Sequence, residues 1–183
     1  MTTSAIEIVP VFRAFPSIPR LFRDYIVTEK IDGTNASVHV LEDGTVLAGS
    51  RTRYITPEND NAGFARFVAE REEQFRALLG PGQHFGEWYG NGIQRGYGLP
   101  EKRFALFNTT RWTGVELPER VGVVPVLAIC GIEMVKLVAD SLYISGSLIA
   151  PGFAFPEGIV TFHTKSGQLA KYTFDKNDGH KSA

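Results

Sequence analysis

Apolar positions recur at every second residue over much of the chain, which predicts short strands joined by polar turns. Tyr25 to Thr28 and Asn35 to Leu41 read as strands, Glu42-Asp43-Gly44-Thr45 as a reversing turn, and Val46 to Arg51 as the next strand. A three- and four-residue rhythm governs one long stretch. Phe64, Phe67, Val68, Phe75, Leu78 and Leu79 fall on one face of a helix from about Ala62 to Leu79, Glu70, Glu72 and Glu73 look outward, and Gly80-Pro81-Gly82 ends it. Strands at about Gln83 to Trp88 and Arg103 to Phe107 flank a glycine-rich loop from Gly90 to Gly98. A strand over Val121 to Ile129, a short helix near Ile132 to Leu142 and a hairpin of Gly158 to His163 with Leu169 to Phe174 complete the pattern. Pro10, Pro16 and Pro19 make residues 1–23 an extended lead-in packed along the domain. The polar stretch from Asp175 to Ala183 reads as a frayed tail. With no internal repeat and no linker, the expectation is one α+β domain built on antiparallel sheet.

The chain has 183 residues, enough to bury a substantial core. Its 19 basic and 20 acidic side chains nearly cancel, which argues against a protein that coats DNA through many phosphate contacts. A local basic patch remains open: Arg13, Arg20, Arg23, Arg51 and Arg53 either gather around one cleft or are solvated surface charges. The one cysteine, Cys130, excludes a disulfide framework and a cysteine zinc site, and in its apolar surroundings it is expected to pack as a small hydrophobe. No run approaches the roughly 18 apolar residues of a membrane span, and no secretory leader pattern opens the chain, so a cytoplasmic protein without a membrane partner is expected.

One polar residue interrupts this pattern in a place where charge is costly. Lys30 follows the strand-like Tyr25-Ile26-Val27 and precedes Gly33-Thr34-Asn35, and partial burial there would leave a nucleophilic amine in place of a solvated ammonium. Taken alone, Lys-x-Asp-Gly also suits a plain turn lysine. Four more segments follow in order: Gly49-Ser50-Arg51, Phe85-Gly86-Glu87-Trp88-Tyr89-Gly90, Phe104-Ala105-Leu106-Phe107-Asn108 and Pro156-Glu157-Gly158-Ile159-Val160. Lys171, in Leu169-Ala170-Lys171-Tyr172, closes the series.

From about Tyr25 to Phe174 this series resembles the covalent lysine nucleotidyltransferases, the superfamily of polynucleotide ligases and mRNA capping enzymes, and most of all the ATP-dependent RNA ligases of the kind found in phages. The resemblance implies an α+β nucleotidyltransferase domain, an ATP-grasp-like ligase adenylation fold with antiparallel sheets flanked by helices. It implies that Lys30 attacks the α-phosphorus of ATP and holds AMP through a phosphoramide bond. Glu29, Ile31, Gly33 and Asn35 would lie against the nucleotide, Gly33 by letting the backbone approach and Asn35 by its amide. Arg51 would place its guanidinium fork on a phosphate, Glu87 would accept from a ribose hydroxyl, and Phe107 would stack on adenine. Glu157 would hold Mg²⁺ or Mn²⁺ against the triphosphate, and Lys171 would neutralise charge in the transition state. Each has a plainer reading: a turn glycine, a turn amide, a surface arginine, a strand acid, a core phenylalanine, a turn glutamate.

The series departs from the family in one place, where Thr173 stands at the position of a second lysine; Lys165 or Lys176 would have to supply that charge. The loop Asn91 to Gly98 either lies beside the nucleotide or is a flexible connection. Nothing after Phe174 matches an OB-fold or a C-terminal RNA-binding domain, so a single minimal adenylyltransferase domain over residues 1–183 is expected. Its grip on RNA would come from the cleft, a homodimer partner or another protein. The implied reaction joins an RNA 5′-phosphate to a 3′-hydroxyl by way of lysyl-AMP. Two alternatives stay open: an adenylyltransferase that seals incompletely, and a noncatalytic module that binds nucleotide or nucleic acid. GTP ranks below ATP, because the segments from Gly86 to Tyr97 look like the ligases.

Overall fold

The computed structural model describes residues 13–20 and 22–175. Strand β1 (Tyr25–Lys30) enters a four-stranded sheet. Strands β2 (Thr34–Val40), β3 (Val46–Gly49) and β4 (Tyr54–Ile55) then start a six-stranded one, which helices α1 (Phe64–Ala69) and α2 (Glu72–Leu79) cover. β5 (Gly82–Gly90) and β6 (Lys102–Leu106) extend this second sheet, a one-turn helix α3 (Thr109–Trp112) follows, and β7 (Val121–Val123) is its edge. β8 (Val126–Cys130) returns to the first sheet, α4 (Val135–Ser145) packs behind it, and the hairpin β9 (Gly158–His163) and β10 (Leu169–Thr173) finishes it. The strand orders are β10-β9-β1-β8 and β4-β3-β2-β5-β6-β7.

Strand pleating sorts the side chains between layers. On the larger sheet Ala36, Val38, Val40, Trp88, Phe104 and Leu106 face α1 and α2, where Phe64, Phe67, Phe75 and Leu79 complete the main core. On the smaller sheet Val27 and Ile159 pack against Ala139 and Leu142 of α4. The remaining faces turn toward each other. At one end Ile31, Tyr89, Tyr97, Ala105 and Val124 close the space between them; the rest is open, and the polar residues that alternate with the core line it.

The structure corrects several expectations. The long helix is two, because Arg71 leaves helical geometry (φ −126°, ψ 19°) within the polar run Glu70 to Glu73, and α1 begins late, after left-handed Ala62 and Gly63. Asp60 caps α1, its carboxylate accepting from the Ala65 and Arg66 amides. The strand expected over Val121 to Ile129 breaks at Pro125, and its halves join different sheets; with no N–H, Pro125 cannot donate to a ladder, but its carbonyl accepts from the Glu29 amide at 3.0 Å. The larger sheet is not wholly antiparallel, since β6 and β7 run parallel. The described lead-in residues carry no helix or strand, and the expected packing along the domain is not found: Phe15, Ile18 and Phe22 are exposed. Pro10, the stretch from Lys176 to Ala183 and thus the expected frayed tail beyond Asp175 lie outside the described residues. Cys130 is partly buried at the edge of the smaller core, in line with a packing role. No helix among the described residues is long and apolar enough to cross a membrane.

Candidate active site

The open space between the sheets is a cleft of about 940 Å³. One wall is the inner face of the smaller sheet, with three cross-strand rows: Lys30, Gly158, Thr173; then Thr28, Val160, Lys171; then Ile26, Phe162, Leu169. The other wall carries Asn35, Phe85, Glu87 and Phe107 from the larger sheet, with Arg51 beyond β3 and the first residues of α3. Alternation in β1, β2, β5 and β10 therefore brings together residues that are far apart in the chain.

Lys30 Nζ donates to Glu157 Oε2 at 2.6 Å, and both side chains are shielded, at 22% and 16% exposure. Sequence reasoning did not foresee this pairing. Glu157 stands one residue before β9, opposite the end of β1, so register alone delivers it to the amine. Burial pushes its carboxyl above the usual glutamate range, aided by Asp32 and opposed by the Lys30 ammonium and Arg95. In this pair Glu157 fixes where the amine sits.

Two expected nucleotide contacts are turned elsewhere. The Glu29 carboxylate is buried, accepting from Ser147 Oγ at 2.6 Å and from the amides of Leu148 and Ile149 at 2.8 and 3.0 Å. Ile31 is buried in the closed end between the sheets. Both reach the cleft wall through backbone, because strand alternation points their side chains away from Lys30. Gly33 is required, but by protein: a Cβ there would run into the Trp88 carbonyl oxygen and the Glu87 side chain. Its amide donates to Glu87 Oε1 at 3.1 Å.

Glu87 is not the exposed strand acid of the plain reading, being only 8% exposed. Burial raises its carboxyl to about 7, against the pull of Lys30 and the Gly33 amide. The folded chain therefore keeps this proton up to about pH 7, while the unfolded chain loses it near 4.5. The folded state binds more protons between these values, so stability falls as pH rises through that window. Glu87→Gln keeps the acceptor for Gly33 and removes the buried charge. It is expected to flatten that decline and to raise Tm at pH 8 by several degrees, since one kcal/mol corresponds to about 2–4 °C in a chain of this size. Thermal melts of both proteins at pH 5 and pH 8 check this; parallel curves would show that Glu87 is not the group responsible.

Phe107 follows β6, is 42% exposed and lines the cleft, so it is not a core phenylalanine. Asn35 lies across from Glu87 and faces the cleft, its amide 3.5 Å from that carboxylate. Arg51 is exposed at the rim and has no ionic partner among the described residues. Arg53 is turned toward Asn59, and Arg13, Arg20 and Arg23 do not line the cleft, so the expected gathering of arginines reduces to Arg51. Lys171 sits two strands and one row from Lys30, roughly 12 Å between backbones by standard sheet spacings, and two long side chains can span that to one phosphate. Thr173 lies in the row of Lys30 itself. Lys165 lies in the turn at the far end of the β9–β10 hairpin and cannot replace a cation there; Lys176 lies outside the described residues.

Sequence reasoning missed α3, whose Asn108 side chain caps it by accepting from the Arg111 amide at 3.1 Å. An Asn before Thr-Thr-Arg-Trp was the available signal. It also left the loop Asn91 to Gly98 undecided, and the structure ties that loop to the turn after Lys30. The Tyr97 hydroxyl, on a buried side chain, accepts from the Asp32 amide at 2.7 Å, and Arg95 Nε donates to Asp32 Oδ2 at 2.9 Å. Burial pushes the Tyr97 phenol well above its usual range, so it stays protonated.

The family described as RNA ligase matches residues 23–173. No curated protein matches the chain. Among solved structures it is similar to a Naegleria gruberi RNA ligase mutant with AMP and Mn (20% identity, TM-score 0.59, covering 84% of this chain and 50% of that one). It is similar to another mutant of that ligase with ATP and Mn (17%, TM-score 0.64, 90% and 57%), and to the ligase with PPi (19%, TM-score 0.60, 82% and 49%). At these identities the likeness is one of fold. The chain spans about half the length of the solved structures it matches.

Proposed function

The chain belongs to the RNA ligase family, and we propose that it is an ATP-dependent RNA ligase whose nucleophile is Lys30. The observation that carries this reading is the meeting of Lys30 and Glu157 at 2.6 Å in a cleft that also holds Arg51, Glu87, Phe107 and Lys171. In the first step Lys30 Nζ, once deprotonated, attacks the α-phosphorus of ATP; an N–P bond forms, the bridging P–O bond breaks and pyrophosphate leaves. Phe107 holds the adenine, Glu87 the ribose, and Lys171 and Arg51 the phosphate charge. AMP then passes to an RNA 5′-phosphate, and a 3′-hydroxyl displaces it.

The site fits a divalent ion of the Mg²⁺ or Mn²⁺ kind. The described residues contain no cluster of three carboxylate, histidine or cysteine ligands, but Mg²⁺ is commonly bound by one or two carboxylates, substrate phosphates and water. Glu157 would hold it, and the half-buried carboxylate's present counter-charge is the Lys30 ammonium. When bound, the ion would balance Glu157 and the triphosphate and so let the amine be neutral.

Incubation with α-labelled ATP and Mg²⁺ tests the reading: the protein should release pyrophosphate and acquire label that survives denaturation and alkali but is lost in acid, as an N–P bond requires. ATP bound without any covalent adduct would favour the noncatalytic module instead. A second reading, transfer of AMP with incomplete sealing, draws on the neutral Thr173 in the Lys30 row. Ready joining of both a nicked RNA duplex and a pre-adenylylated strand would exclude it. Phe107→Ala should raise the KM for ATP in self-labelling about 10- to 100-fold, the value of one base-stacking contact, and leave Tm near wild type because the ring is exposed. Equal KM values would move the adenine elsewhere in the cleft.

A further inference from the structure

We propose that Arg95 is the positioning residue of this cleft, a clip that holds the segments carrying Lys30, Glu157 and Lys171 in register; this rests on the ligase reading for what the register serves. Its guanidinium bonds three separate pieces of chain through three different nitrogens. Nε donates to Asp32, two residues after Lys30, at 2.9 Å. Nη1 donates at 3.2 Å to the carbonyl of Phe155, two residues before Glu157. Nη2 donates to the carboxylate of Asp175, four residues after Lys171.

A planar fork with fixed donor directions can satisfy three acceptors at once, which the single ammonium of a lysine cannot do in the same geometry. The Arg95 side chain is 21% exposed and Asp32 26%, so the bond between them is sheltered, while the arm to Asp175, itself 68% exposed, is open to solvent. The loop holds Arg95 in place at a conformational cost. Gln94 (φ 44°) and Tyr97 (φ 54°) both take left-handed backbone, a strain that persists where surrounding contacts over-determine it. Those contacts are the Asp32 amide on the Tyr97 hydroxyl and the packing of the Tyr97 ring between Tyr89 and Phe153.

The clip also sorts charge. Arg95 occupies the Asp32 carboxylate, while Lys30 pairs with Glu157. Without Arg95, Asp32 loses its counter-charge, and the Glu157 segment loses its tie to the Lys30 turn. Arg95 is a positioning residue: it acts through the segments it binds.

The test compares wild type, Arg95→Ala and Arg95→Lys by self-labelling rate at saturating ATP, KM for ATP, Tm and hydrogen–deuterium exchange. For Arg95→Ala the maximum labelling rate should fall about 100-fold, the scale of an ångström-sized misplacement. The KM for ATP should change little, because no nucleotide contact is removed. Arg95→Lys should recover only part of the rate. Added guanidinium, at concentrations too low to unfold the protein, should restore part of the Arg95→Ala rate and none of the Lys30→Ala rate. Exchange should rise together over residues 31–33, 155–158 and 172–175. An unchanged labelling rate, a loss confined to KM, or exchange that rises only at 31–33 overturns the clip. If Arg95→Ala does not fold, Arg95→Lys is read by the same criteria. If wild type forms no label, the ligase reading fails, and the clip is then decided by the exchange pattern alone.

Discussion

Lys30→Ala is expected to reduce covalent labelling by α-labelled ATP to background, the largest single loss this cleft can suffer. The bond to AMP needs a nitrogen lone pair at the end of β1, and no other lysine is in that row: Lys171 stands one row further and two strands away. Lys30→Arg separates chemistry from charge. It retains a cation that can pair with Glu157, but a guanidinium stays protonated and does not attack phosphorus, so it too should form no adduct. ATP should still bind both variants, because Phe107, Glu87 and Arg51 are untouched. Neither variant should lose the ability to join a pre-adenylylated RNA strand, since AMP is already on the RNA and no lysyl-AMP need form. Gel detection of label, equilibrium ATP binding and joining of the pre-adenylylated strand check the three parts. Label that persists in Lys30→Ala would move the nucleophile to another residue. In Lys30→Ala Glu157 is left half-buried without its partner, so a modest drop in Tm at neutral pH is expected beside the loss of labelling.

The parts of the fold and site that could be read from sequence are those set by local alternation. Ile26, Thr28 and Lys30 share a face because strand period is two, and the same holds for Glu87 with Phe85 and for Lys171 with Leu169. That is why the strands expected at 25–28, 83–88, 103–107, 158–163 and 169–174 match those observed at 25–30, 82–90, 102–106, 158–163 and 169–173, whereas the site residues on them were named from the resemblance to the covalent nucleotidyltransferases. What escaped depends on partners distant in sequence. Nothing near Lys30 announces that Glu157, 127 residues away, will close on it. Nothing near Glu29 shows that its carboxylate will be consumed by the backbone of 148 and 149. Gly33 was read as making room for a ligand, whereas the crowding comes from β5, a strand some fifty residues later. Pro125 marks the split, since a residue without an N–H cannot continue a ladder, yet the apolar residues on both sides of it read as one strand. Arg95 was hidden because a single arginine in a glycine-rich loop has no periodicity to betray it.

Glu157→Gln is expected to lower the self-labelling rate about 10²–10³-fold, the range for loss of one preorganised electrostatic group, with the fold retained. Two roles meet at this carboxylate, and the substitution bears on both. As the partner of Lys30 it fixes where Nζ sits; the amide oxygen of glutamine can still accept that hydrogen bond, so position is largely preserved. As a full negative charge it can hold a divalent ion against the triphosphate, and the neutral amide cannot do this well. The wild-type carboxyl is already pushed upward by burial, so a neutral group at this place costs the folded chain little. Tm should therefore stay within a few degrees of wild type, while the rate falls. The dependence on Mg²⁺ should separate the roles: if Glu157 holds the ion, the concentration for half-maximal labelling rises in Glu157→Gln, and Glu157→Asp falls between the two. If all three proteins show the same Mg²⁺ dependence and the same rate, Glu157 is only the resting counter-ion of Lys30. The ion must then be held by the triphosphate and other residues of the cleft.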